Sequence, residues 1–369
     1  MQYVLLSDVG SFSNERISIE HVTVDNYIST ENMVSDKGGV VQASALPDAK
    51  KVAKYNPEDI LLSNIRPYFK KIWFANRTGG CSNDVLVVHP NKGIDAKFLY
   101  YVLSDNNFFN YDTLTAKGTK MPRGTKHAIL RYWIPNIPLQ DQQKIASILS
   151  AYDSLIEHNK KRIKLLEQMA ENLYKEWFVR FRFPGYETAE FEGGVPKGWR
   201  IEKLGNVANI RTGKCNREDA EEGGIFPLFD RSQEIKKSNT WLMDCEAIIV
   251  PGEGTSFTPR YYEGKFNLHQ RCYCVEPRQK GTGKFLFYML MFNKAYFLSV
   301  ATGATVPSLR QNNFTKMKFI MPSFDLCRQY DKHITLFFTE IDTLSKQVET
   351  LTTQRDLLLP RLMSGKLSI

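Results

Sequence analysis

The strongest constraint on this chain is that it repeats itself. Sliding the sequence by 187 positions places Leu61-Leu62 on Ile248-Ile249, Phe74 on Tyr261, Val88 on Val275 and Pro90 on Pro277. The same register aligns Lys97-Phe98-Leu99 with Lys284-Phe285-Leu286, Tyr101 with Tyr288, Leu103 with Leu290 and Asn106 with Asn293. After a two-residue deletion Ala116, Gly118 and Pro122 meet Ala301, Gly303 and Pro307, and one further step brings Pro138 and Asp141 onto Pro322 and Asp325. Leu6-Ser-Asp-Val9 matches Leu204-Gly-Asn-Val207 at the start of each copy. Such a chain must fold one unit twice: a globular head, then the segment beyond Pro138 in one copy and beyond Pro322 in the other.

That segment reads as a helix in both copies. Ile145, Leu149, Tyr152, Ile156, Asn159, Ile163, Leu166, Ala170, Leu173 and Trp177 alternate steps of four and three residues, which is a coiled-coil seam over Gln140 to Phe178. The other faces read as charged or polar, with Glu157, Lys160, Lys161, Arg162, Lys164, Glu167, Gln168 and Glu171. Ile334, Phe337, Ile341, Leu344, Val348, Leu351, Arg355, Leu358 and Leu362 repeat the alternation, with Pro360 expected to kink or end that helix. Two helices of about 35 residues, each roughly 50 Å long, are expected to pack antiparallel on each other as a dumbbell's bar. Asn159 and Arg355 interrupt the apolar seams, either to fix register or because they face solvent through a local gap.

The expected fold class is α+β: two similar mixed α/β heads separated by two long antiparallel helices that form an intramolecular coiled coil, with pseudo-two-fold symmetry. Expected boundaries are 1–138 for the first head, 139–180 for the central helix, 181–322 for a Gly- and Pro-rich linker with the second head, and 323–369 for the C-terminal helix and tail. Ile60-Leu61-Leu62, Ile72-Trp73-Phe74 and Val85 to Val88 read as strands and Ala96 to Ser104 as a helix. Ala116 to Lys126 reads as an ordered polar loop, because its Gly, Pro and hydroxyl residues oppose regular structure.

Composition narrows the function. No apolar run approaches a membrane span and no signal sequence starts the chain, so a cytoplasmic protein without a membrane partner is expected. The six cysteines are scattered without a CxxC pair, which argues against a disulfide framework or zinc ribbon; Cys272 and Cys274 read as buried strand residues. An excess of 49 Lys and Arg over 40 Asp and Glu gives a net charge of +9, which suits a polyanion. No GxxxxGK[ST] loop and no GxGxxG after a strand is present, so no ATP or dinucleotide cradle is visible. Asn56-Pro-Glu-Asp59 and Gly252-Glu-Gly254 read as turns, and Glu218, Asp219, Glu221 and Glu222 as a hydrated acidic loop. His158 and His333 lack partners at ligand spacing. Neither a catalytic residue nor a cofactor or metal site is expected.

Two basic heads suggest two readings of one extended ligand, with DNA the leading candidate. Groove and phosphate readout draws on Arg, Lys, Asn, Gln, Ser and Thr. Candidates in the first head are Thr30, Asn32, Asn64, Arg66, Lys70, Lys71, Lys117, Lys120, Arg123 and Lys126. In the second they are Arg211, Lys214, Arg231, Gln233, Thr255, Ser256, Gln270, Arg271, Arg310 and Asn312. Each also reads as an ordinary solvated loop residue; the set gains weight because equivalent loops are polar in both copies. Alternatives are an autonomous DNA-modifying enzyme with an unrecognised site and a coiled-coil scaffold that binds only proteins.

Leu139 to Ala146, Ile156 to Lys160, Leu173 to Val179 and Arg355 to Gly365 carry a family resemblance, joined by Tyr27 to Met33, Asp59 to Pro67 and Val195 to Trp199. From end to end the chain resembles the DNA-specificity subunit of a type I restriction-modification system. The resemblance implies that each head is a target-recognition domain for one half of a split, asymmetric DNA sequence, and that the helices set the spacer. It also implies two adenine-methyltransferase partners that bind S-adenosylmethionine, and motor-nuclease restriction subunits that use ATP and magnesium. None of those cofactors would bind this chain.

Overall fold

The computed structural model describes residues 2–232, 234–303 and 305–363. The chain divides into two compact units, Met1–Lys160 with Lys346–Ile369, and Lys161–Ser345, so the divisions fall inside the long helices. Each unit holds one head and a stretch of both helices.

In the first unit, alternation of side chains along three short strands builds a two-sided sheet. Ile60–Ser63 lies between Val85–Pro90 and Ile72–Phe74, and Gly10–Phe12 pairs with the far edge of Val85–Pro90. Ile60, Leu62, Leu86 and Val88 face one core; Leu61, Val85 and Val87 face another. A second four-stranded sheet orders Arg16–Ser18, Lys51–Tyr55, Gly79–Cys81 and Tyr27–Ile28, the last pairing parallel. The helix Ala96–Ser104 forms where expected: Asp95 caps it by accepting from the Phe98 N–H at 2.8 Å, and Phe98, Leu99, Val102 and Leu103 enter the first core. That core also takes Ile145 and Leu149 from the first long helix and Leu359, Leu362 and Met363 from the second. Gln142 is buried and fastens the helix start, accepting from the Asp95 N–H at 2.9 Å and donating to the Ile137 carbonyl at 2.7 Å.

The second unit repeats this plan on a larger sheet ordered Ala208–Thr212, Cys272–Pro277, Met243–Pro251, Arg260–Leu268, Phe226–Phe229, Lys236–Ser238. Cys272 and Cys274 are buried on their strand. The expected register needs one correction. Ile60 pairs with Phe74 and Val88, and Ile248 pairs with Tyr261 and Val275, so Ile60 corresponds to Ile248 and Leu61 to Ile249, not Ile248. Strand parity forces the shift, because Ile248 and Val250 face the helix-side core as Ile60 and Leu62 do. Within the linker segment 181–198 Phe191–Glu192 and Val195–Pro196 pair, and beside it Trp199 packs against Phe178, Phe181 and Phe183.

The long helices run Leu139–Tyr174, continued by a π-helical turn Lys175–Val179, and Phe324–Met363. Pro360 does not end the second; the helix continues to Met363, where burial of Leu359, Leu362 and Met363 holds the last turn. Within the seam Ile145, Leu149, Ile156 and Leu344 are buried, while Ile163, Leu166, Leu173, Ile341, Val348, Leu351 and Leu358 are half-buried, since one neighbouring helix covers only part of a side chain. In the first unit Asn159 is buried and donates to Gln347 at 3.1 Å, and Arg355 binds Asp153 at 2.6 Å, so neither faces an empty gap. In the second, Arg162 pairs with Glu340 at 2.6 Å and Tyr330 OH reaches the Ala170 carbonyl at 3.4 Å. Both sets of pairs run antiparallel.

The outer faces are less polar than expected. Leu155 in the first unit and Leu165 and Met169 in the second are all more than half exposed. On the second helix Thr335, Thr339, Thr343, Thr350 and Thr353 donate to the carbonyl four residues earlier, at 2.7–3.0 Å. Among the described residues no helix is long and apolar enough to cross a membrane.

Candidate nucleic-acid interface

Each head gathers three loops at the end of its central strand. In the first head the loop after Ser63 and the loop 117–124 are joined by bridges Ile65–Arg123 and Lys117–Arg123. The Arg66 N–H reaches the Pro122 carbonyl at 2.8 Å, Gly124 N–H reaches Asn64 O at 3.1 Å, and Asn64 N–H reaches Asp84 O at 2.8 Å. The second head uses the same frame: bridges Glu253–Ser308 and Thr302–Ser308, Leu309 N–H to Gly252 O at 2.8 Å, and Gly252 N–H to Arg271 O at 2.8 Å. A Cβ on Gly252 would lie 2.7 Å from the Arg271 carbonyl, so this close approach requires glycine.

On that frame the first head brings together Asn64, Arg66, Lys117 and Arg123. Arg123 pairs with Asp84 at 3.2 Å and stays more than half exposed; Lys117 and Lys120 are exposed on the loop. Arg66 sits in the left-handed region with φ 50° and its buried Nε has no protein partner. Asn64 Oδ1 and Asp112 Oδ1 are likewise buried without a protein partner, and a Cβ on Gly124 would collide with Asp112. Burial pushes the Asp112 carboxyl up to about 7. Lys71 is drawn back to the Thr30 carbonyl at 2.6 Å and Lys70 to Asn106 Oδ1 at 3.0 Å. Lys126 lies apart, over the Phe12 ring. Asn32 does not offer its amide to a ligand: it is 5% exposed, accepts from the Ser29 N–H at 2.6 Å, and donates to the Tyr27 and Val41 carbonyls at 2.9 and 2.8 Å.

The second head brings Arg231 and Arg271 onto one carboxylate. Arg231 Nη1 lies 2.5 Å from Glu253 Oε2, and Arg271 Nη1 binds Glu253 Oε1. Burial opposes ionisation of Glu253, but the hydrogen bond and charge of Arg271 and the charge of Arg231 outweigh it and hold its pKa below the usual range. The turn presenting Arg231 is itself fixed. Asp230 accepts from Ser232 N–H at 2.7 Å and binds Lys236 at 3.0 Å, which with Ser232 brings its carboxyl down to about 2 despite burial. Arg260 donates to the Asp230 and Ser232 carbonyls at 2.5 and 3.0 Å and lies over the Phe229 ring. Thr255 and Ser256 are exposed beside Glu253, and Gln270 donates to Asn216 at 2.7 Å. Arg310 and Asn312 are exposed beyond the third loop, and Lys214 is exposed after its strand. Arg211 instead pairs with Glu276 at 2.8 Å. Gln233 lies outside the described residues. In the acidic loop, Asp219 accepts from the Asn216 N–H and Glu221 from Asn239.

Sequence reasoning missed Glu253, Arg260, Asp84 and Asp112. Glu253 passed as part of a glycine turn; its signal was a lone acid at a strand end among basic loops.

The model of the type I restriction modification DNA specificity domain matches residues 2–168 and again 196–353. The chain belongs to this family. Among curated members, the type I restriction enzyme HindI specificity subunit of Haemophilus influenzae is 24% identical over 98% of both chains. The MjaIX specificity subunit of Methanocaldococcus jannaschii is 24% identical over 76% of this chain and 71% of its own. The EcoDI specificity subunit of Escherichia coli reaches 32% identity over 43% of this chain and 34% of its own. A solved type I restriction-modification system S subunit from M. genitalium shares the fold, with a TM-score of 0.63 at 18% identity, covering 98% of this chain and 96% of that one. In this specificity-family chain both matched segments contain the bridged loops of a three-loop edge.

Proposed function

We propose that this chain is a non-catalytic, sequence-specific DNA-binding subunit that reads a bipartite, asymmetric target and directs adenine methylation and restriction by partner subunits. The observation that carries the proposal is the pair of three-loop edges: one backbone frame built twice, with different cationic side chains mounted on each copy. Identical frames with different side chains suit two half-sites of different sequence. The curated relatives, each named as a specificity subunit, support the same reading. The partners are two methyltransferase subunits, which bring S-adenosylmethionine, and motor-nuclease subunits, which bring ATP and magnesium, all in the cytoplasm. Leu155, Leu165 and Met169, exposed on the first long helix, fit docking of partner helices, and the long helices set the spacer between half-sites.

Single-molecule methylome sequencing of a host with and without this gene tests the proposal. A bipartite adenine motif that disappears with the gene is expected; an unchanged methylome with intact partner genes sinks it. Inserting one heptad after Ile156 should lengthen the unspecified spacer by about three base pairs, since seven helical residues add roughly 10 Å. A fixed spacer in an assembled, active complex rejects the ruler.

A further inference from the structure

The Glu253 cluster is more constrained than phosphate binding requires. A phosphate contact needs a cation within reach, and a mobile lysine serves. Here two arginines share one carboxylate that is only 12% exposed, while their own side chains are about half exposed. The backbone behind them is held as well. Arg260 ties down the Arg231 turn through two carbonyls, and the Arg271 N–H donates to His269 Nδ1 at 3.0 Å. His269 is buried, and burial together with the charge of Arg231 lowers its pKa, which favours the neutral ring that can accept this N–H. Each guanidinium engages Glu253 through Nη1 and, with its side chain about half exposed, carries further N–H donors beyond that contact. Rigid, planar, outward-facing donors are what a base edge with two acceptors requires, and guanine O6 and N7 in the major groove present that pair.

We propose that Glu253 is a positioning residue that holds Arg231 and Arg271 as a fixed pair of guanidinium forks, and that this pair reads the O6/N7 edge of guanine in the half-site assigned to the second head. The inference rests on the DNA-reading function proposed above. It goes further by naming a base, the side chains that choose it and the carboxylate that aims them. Removing the negative charge of Glu253 would raise the local positive charge while releasing both arginines. Aiming and attraction therefore predict opposite results: attraction alone predicts tighter binding with an unchanged motif, and aiming predicts a relaxed motif.

The test uses the methyltransferase complex assembled in a host, with methylomes read for the wild type, Glu253→Gln, Arg231→Lys and Arg271→Lys. The lysine variants keep charge at exposed positions, so they report recognition even if Glu253→Gln lowers the amount of complex. The wild-type motif should contain a guanine on one strand of one half-site. Preference for that guanine should fall roughly tenfold or more in at least one lysine variant and in Glu253→Gln, since a bidentate Arg–guanine contact supplies discrimination of that order. The other half-site and the spacer should stay unchanged. A half-site without guanine on either strand, or variants that slow methylation evenly with an unaltered motif, overturns the inference while leaving the DNA-reading function standing. A wild type without a bipartite motif overturns both.

Discussion

At equivalent places the two heads make opposite choices. Asn64, Ile65, Asp84, Arg123 and Gly124 of the first head occupy the positions of Gly252, Glu253, Arg271, Ser308 and Leu309 in the second, as their shared backbone bonds show. Beneath them Asp112 stands where the second head has Phe297. Tyr111 and Tyr296 fix that correspondence, donating to the Ala128 carbonyl at 2.9 Å and to the Asn313 carbonyl at 3.0 Å. One place reverses sign: Asp84 is an acid that meets Arg123 of the third loop, whereas Arg271 at the same place is a base that meets Glu253. The floor changes too. Phe297 and Leu309 are buried apolar side chains, whereas Asp112 and Gly124 leave a carboxyl oxygen with no protein partner. Main-chain bonds carry the architecture, so side chains on the frame are free to diverge in sign and polarity.

The widest test of this contrast truncates the two floors. Phe297→Ala should cost about 3–5 kcal/mol, as for other buried aromatics, while Asp112→Ala should cost little or stabilise at pH 8. Urea unfolding of each variant would show the asymmetry; equal losses would mean that Asp112 has an unseen stabilising partner.

Next in size is a pH effect of Asp112 in the first head. Burial raises the folded-state pKa of Asp112 to about 7, against about 3.9 for a free carboxyl. Between those values the folded chain holds a proton that the unfolded chain does not, so this group's contribution to stability falls as pH rises through the window. Asp112→Asn removes that slope. Its thermal midpoint should exceed the wild type's by a margin that grows from pH 5 to pH 7, the growth corresponding to about 2–3 kcal/mol. A margin that does not change with pH would show that the carboxyl is not held neutral.

The shared frame should respond alike in both heads. Tyr111→Phe and Tyr296→Phe each remove one hydroxyl-to-carbonyl bond and should each cost about 1 kcal/mol by chemical denaturation. A large difference between them would break the structural equivalence. The smallest effect concerns surface charge. In the assembled complex Arg123→Ala should weaken DNA binding about threefold at moderate salt and reduce the salt dependence by about one phosphate contact, with Ser308→Ala near neutral. Binding titrations at several salt concentrations would separate the two.

Much of the fold was legible because it depends on periodicity. The seam, the Ala96–Ser104 helix and the strands around Leu61 follow from steps of 3.6 and 2 residues that no distant contact overrides. The one-residue slip at Ile248 escaped because both registers match apolar residues to apolar residues; only the pairing of Ile248 with Val275 decides the face. The loop sites were half legible. Their composition marked Arg231 and Arg271, but nothing local says that a glutamate 18 residues before Arg271 joins them, since that contact depends on the register of two strands. Asn32 misled for the converse reason: a polar residue in a turn serves its own backbone as readily as a ligand, and only the carbonyls of Tyr27 and Val41 reveal which.

The threonines along the second long helix change what that surface offers. Each hydroxyl hydrogen is committed to its own helix, which leaves the γ-methyl group as the part of each threonine free for apolar contact. Among the exposed charged side chains of Lys332, Asp342 and Lys346, the threonines add methyl surface to a face that composition counts as wholly hydrophilic. Covering those methyl groups would displace water without stripping hydrogen bonds from the hydroxyls, which their own helix already satisfies.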